Sequence, residues 1–152
     1  MRGKTCAVIV ALIAMAIGPM AHGGEAALKV ADALGVADAW VPTTEKVGAD
    51  VPLLLTIHNE AGPDDTLLRV RCPVANFSER HTVDRGEGAP AMRSVRSIPI
   101  AASTTTVLKA DGYHIMLLQT RQPLAAGDKF TCAIDFQKAG TIETEVNVRS
   151  LP

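Results

Sequence analysis

The chain has 152 residues, 15 basic against 16 acidic, a formal net charge of −1 and 47% hydrophobic residues. Near neutrality without a long basic run excludes nucleic acid and anionic membrane surfaces as expected partners. The length suits one domain with its own core once an N-terminal segment is set aside.

That segment reads as a secretory signal. Arg2 and Lys4 precede an apolar run from Cys6 to Gly18, and Ala21-His22-Gly23 supplies small residues at the positions a signal peptidase reads. The run is about 13 residues, short of the roughly 20 that a spanning helix needs. Residues 1–23 are therefore expected to leave, with 24–152 exported as the mature domain and no membrane association thereafter. Cys6 stands at the start of the apolar run instead of after it, which argues against a lipid anchor.

Along the mature chain, Ala26 to Val36 reads as a helix or as an opening strand followed by a loop. Beyond it, short apolar runs alternate with turn residues, the pattern of an antiparallel sandwich or barrel. Leu53 to His58 is a strand closed by Asn59 and the Ala61-Gly62-Pro63-Asp64-Asp65 turn. In Leu67 to Cys72, alternation predicts Leu68, Val70 and Cys72 on one face and Arg69 and Arg71 on the other. Glu79 to Val83 and Ala91 to Val95 flank a hairpin loop rich in Gly, Asp and Pro. Thr104 to Lys109 and Tyr113 to Leu118 surround Ala110-Asp111-Gly112, and Lys129 to Phe136 and Ile142 to Val148 close the chain. The expectation is one all-β domain.

Cys72 and Cys132 are the two cysteines left after the signal. In an oxidising compartment an even pair suggests a disulfide, which would close a loop of about 60 residues worth on the order of 3–4 kcal/mol. Copper-binding thiolates and two separate buried thiols are the alternatives.

The mature chain keeps two methionines, Met92 and Met116, and three histidines, His58, His81 and His114. Four of these form one pattern: His81, ten residues, Met92, twenty-one residues, then His114-Ile115-Met116. His114 and Met116 are two apart in a predicted strand and so share a face. His81 and Met92 stand on the two arms of the hairpin. Two thioethers and two imidazoles make a soft, uncharged set suited to Cu(I) and ill suited to magnesium or calcium. A thioether cannot form a disulfide and needs no deprotonation to bind, which fits an exported copper carrier.

The spacing resembles the periplasmic copper chaperones called PCu(A)C, whose motif is His, ten residues, Met, twenty-one residues, His-x-Met. His81, Met92, His114 and Met116 match it residue for residue. Ala39-Trp40-Val41, Leu55-Thr56-Ile57-His58-Asn59, Gly112 to Leu117, Gln122-Pro123-Leu124, Gly127-Asp128 and Phe136 to Gly140 also look like the family. The resemblance implies a single cupredoxin-like antiparallel Greek-key β-sandwich in the periplasm. It implies that these four residues bind Cu(I). It further implies that the copper goes to a cuproenzyme, above all the CuA centre in subunit II of cytochrome c oxidase. The chain departs from the pattern at Val83, where many members have Met, and at its C-terminus, where no His- and Met-rich tail precedes Pro152.

Other functions are weighed on the same residues. A zinc hydrolase could recruit His58, His81 and His114, but no acidic motif supplies a general base and the methionines go unused. A blue-copper carrier needs His and Met soon after a cysteine, and none follows Cys132. An enzyme is not expected. A periplasmic copper buffer and a metal-free structural sandwich are the remaining alternatives, and His58 reads as a structural strand residue.

Overall fold

A computed structural model describes residues 33–86 and 88–151. The segment expected to be a signal, and most of Ala26 to Val36, lie outside them. Ten strands follow: β1 (Gly35–Pro42), β2 (Val51–Asn59), β3 (Asp65–Arg71), β4 (Ala75–Asp84), β5 (Ala91–Val95), β6 (Ile98–Ile100), β7 (Thr104–Leu108), β8 (His114–Thr120), β9 (Lys129–Phe136) and β10 (Gly140–Arg149). Hydrogen bonding orders them β5-β4-β8-β2-β1-β10-β9-β3-β6, with β7 also on β2. This is the expected all-β, cupredoxin-like sandwich. Its ladders are antiparallel except one: β1 and β10 run parallel, Trp40 facing Asn147 and Val41 facing Val148. Among the described residues no helix is long and apolar enough to cross a membrane.

The period-two pattern places the core. In β2, Val51, Leu53, Leu55, Ile57 and Asn59 point inward and the residues between them are half-buried. Ile115 and Leu117 of β8, Cys132, Ile134 and Phe136 of β9, and Val146 and Val148 of β10 close over them. β2 changes partner along its length, since Val51–Leu53 pair with β8 and Leu55–Asn59 with β7. It therefore belongs to both layers.

β3 corrects the expected facing. Leu67 and Val70 are buried while Leu68 is exposed, because the register with β9 shifts between Leu67 and Arg69. The extra residue of this irregularity reverses the alternation for the residues before it. Two buried polar groups lock the neighbouring turns. Asp65 accepts hydrogen bonds from the backbone amides of Thr66, Lys138 and Ala139. The Asn59 amide donates to the carbonyls of Pro63 (2.8 Å) and Ala101 (3.1 Å). A disulfide joins Cys72, just after β3, to Cys132 in β9, with Cα atoms 4.4 Å apart.

Candidate metal centre

The site residues stand on three adjacent strands, β5, β4 and β8, and register alone puts them on one face. His81 pairs directly with His114, and Glu79 with Met116, across β4 and β8. Across β4 and β5, Val83 pairs with Met92 and His81 with Ser94. Residues two apart share a face, so Glu79, His81, Val83, Met92, His114 and Met116 all lie on the side away from Ile115 and Leu117. The hairpin is tied over this face by Arg85, which donates to the Asp111 carbonyl in the turn before β8 (2.8 Å).

Within that face, His81 and Met92 touch: the imidazole Nδ1 is 2.9 Å from the thioether Sδ. The other ring nitrogen, Nε2, lies 2.8 Å from the Glu79 carboxylate. A carboxylate accepts, so Nε2 carries the hydrogen, and in the neutral ring Nδ1 holds the lone pair. Nδ1, the nitrogen turned away from Glu79, is therefore the one that meets the Met92 sulfur. The His81 and His114 rings meet edge to face, centroids 5.7 Å apart at 79°. His114 donates from Nδ1 to the Gly112 carbonyl (3.0 Å), which leaves its Nε2 as the acceptor nitrogen. The two imidazoles therefore offer opposite nitrogens, each oriented by a hydrogen bond through the other.

Accessibility is graded across the face. His114 is buried at 1% exposure, Met116 and His81 are half-buried, and Met92 is 56% exposed. Of the four residues singled out by spacing, Met92 and His114 each meet His81, and Met116 shares their face by register. Glu79 was missed by motif reading. Its position two residues before His81 in a strand was the available signal.

The other candidates lie elsewhere. His58, on β2, is held by Thr105 of β7, Nδ1 to Oγ1 at 3.2 Å. Among the described residues no three His, Cys, Asp or Glu side chains converge to hold a metal, so His58, His81 and His114 do not assemble a hydrolase-type site. What converges is imidazole with thioether. The disulfide occupies both Cys72 and Cys132, which removes them as thiolate ligands.

Residues 34–148 match the family described as "Putative lipoprotein LpqE-like". The chain belongs to the LpqE-like family. Over 123 residues it is 27% identical to "Putative lipoprotein Lxx21020" of Leifsonia xyli subsp. xyli, covering 80% of this chain and 72% of that protein. Among solved structures it is similar to the copper-bound PCuAC domain from PmoF2, with a TM-score of 0.65 at 16% identity over 78% of this chain and 94% of that one. It is likewise similar to the Cu(I) form of DR1885 from Deinococcus radiodurans, with a TM-score of 0.62 at 23% identity over 83% and 86%. This LpqE-like chain therefore has the fold of PCuAC domains.

Proposed function

We propose that this LpqE-like protein is an exported Cu(I) metallochaperone of the PCu(A)C kind, with His81, Met92, His114 and Met116 as the ligands. The observation that carries the reading is the contact of His81 Nδ1 with Met92 Sδ, 2.9 Å apart, on a face that register shares with His114 and Met116. An imidazole and a thioether side by side make a soft, uncharged pair, which selects a soft cation. For both atoms to hold one ion they must part, and exposed Met92 is the side chain with room to move. The fold shared with a copper-bound PCuAC domain and with Cu(I)-DR1885 supports the same reading.

The exposure gradient gives a direction of transfer. Copper arrives at Met92 and settles against His114 and Met116, and an acceptor removes it by displacing Met92 first. The acceptor implied by the sequence resemblance is the CuA centre of cytochrome c oxidase subunit II. Residues 1–23 would direct export to the periplasm, and 24–152 would be the carrier. The family's lipoprotein name fits an exported protein. The protein is a carrier and not an enzyme.

The test is an anaerobic Cu(I) competition titration beside the Met92→Leu/Met116→Leu double variant. One tight equivalent in the parent, lost in the variant with the melting transition retained, is the expected result. Absent binding, or binding equal in both proteins, would leave a metal-free structural sandwich as the better account.

A further inference from the structure

A second feature opens where the chain crosses from β3 to β4. A cleft of about 440 Å³ is lined by four arginines, Arg69, Arg71, Arg80 and Arg121, with Cys72 of the disulfide in its wall and Phe77 at its rim. Four guanidiniums around one opening stand out in a chain whose net charge is −1. Outside the cleft lining, Asp135 of β9 pairs with Arg71 at 3.0 Å and stands opposite Arg69 in the ladder. Among the described residues, Arg69, Arg80 and Arg121 form no ion pair with a carboxylate of this chain.

Two of these three are held ready. Arg121 donates from Nε to the Asn76 side chain (2.8 Å), and Arg80 from Nε toward the Val95 carbonyl (3.4 Å). Fixing a guanidinium through Nε leaves its two terminal amino groups as a preorganised fork for a carboxylate. Phe77 is 62% exposed beside them, an apolar surface on which a neighbouring side chain can rest. The cleft is several times the size of a single inorganic anion, and it combines separated cations with an apolar rim.

We propose that this cleft docks an acidic peptide segment of a partner protein, its carboxylates on Arg69, Arg80 and Arg121 and an apolar side chain on Phe77. Its place in the fold gives the segment a role. Phe77, Glu79 and His81 alternate along one face of β4, so the rim lies about 13 Å from His81 at the usual strand rise. A protein that rests an apolar side chain on Phe77 reaches the edge of the Met/His face, while Arg80, paired with Ile115, holds its acidic segment on the opposite face of β4. Peptide docking does not depend on the copper reading, which it would serve by orienting the protein that exchanges the metal.

The experiment is fluorescence-anisotropy titration of the metal-free protein with a short fluorescein-labelled Glu-rich peptide carrying one central Leu. The same peptide with Lys in place of Glu is the control, and inorganic phosphate is the competitor. The acidic peptide should bind, weaken with added salt, and lose affinity roughly tenfold or more in Arg69→Glu/Arg121→Glu. Arg69→Gln alone, at an exposed position, should lower it about threefold and keeps the test open should the double variant not fold. Undetectable binding, equal binding of the Lys peptide, or affinity unchanged in these variants would overturn the proposal. So would displacement by phosphate at concentrations no higher than those of unlabelled peptide, which would reveal a simple anion site. The Met92→Leu/Met116→Leu protein should bind the peptide like the parent whether or not it has lost copper, so the two readings fail separately.

Discussion

Glu79 does for His81 what the Gly112 carbonyl does for His114: it takes one ring hydrogen and turns the opposite lone pair toward the shared face. A carboxylate behind an imidazole ligand fixes its tautomer and raises its basicity, and losing such a partner typically costs about 10- to 100-fold in metal affinity. Glu79→Gln should therefore weaken Cu(I) binding by roughly that factor while leaving the stoichiometry at one, read by the same competition titration. A second residue-scale effect concerns acid. The Asp135 carboxyl is held below the usual carboxylate range first by the Thr141 hydroxyl, then by the hydrogen bond and charge of Arg71 and the charge of Arg69, against the opposing effect of burial. A carboxyl whose pKa is lowered on folding contributes stability above its unfolded value of about 4, and that contribution fades as pH falls through the lower folded value. Asp135→Asn should flatten the stability profile below about pH 4, measured as urea midpoints across an acid series.

At the scale of elements, register decides what can meet. Direct pairing of His81 with His114, and of Glu79 with Met116, places six side chains on one face of three strands. The two-residue spacing of His114 and Met116 made half of this legible in sequence. The hairpin joining His81 to Met92 was legible from its Gly- and Pro-rich loop. Glu79 was not, because an acidic residue on a strand carries no mark of its partner until the side chains are placed. β1 was obscured by its own irregularity: its pairing with β2 shifts between Ala37 and Trp40, where Asp38 adopts φ 51°, so no clean alternation survives. β6 is three residues with Pro99 at its centre, tolerable on the edge of the sheet and unrecognisable as a strand by composition. The facing of Leu67 and Leu68 was misread for a related reason, an irregularity invisible to strict period-two counting. Turn locking gives an element-scale prediction. Asp65→Ala leaves three backbone amides without their acceptor and should cost about 3 kcal/mol, read as a lower urea midpoint with an unchanged slope.

For the whole molecule, the disulfide ties the end of the strand that carries Arg69 and Arg71 to its neighbour β9. Its two cysteines are separated by 60 positions. A loop of that size implies about 4 kcal/mol of stabilisation through the unfolded chain. Replacing both cysteines by alanine should lower the unfolding free energy by a comparable amount in chemical denaturation, and the Met/His face, built on other strands, should keep its copper stoichiometry. The same division of the molecule governs how it would bear tension. β1 and β10 lie side by side and parallel, so the chain enters the domain at one end of that pair and leaves it at the other. A pull between the two ends drags these strands past each other along their length. Their hydrogen bonds are then loaded in shear and must yield together, instead of opening one at a time like a zipper. β4 and β8 stand beyond β2, off this line of force. A domain tugged at its ends would thus hold its imidazoles and thioethers in place until the β1–β10 clamp gave way.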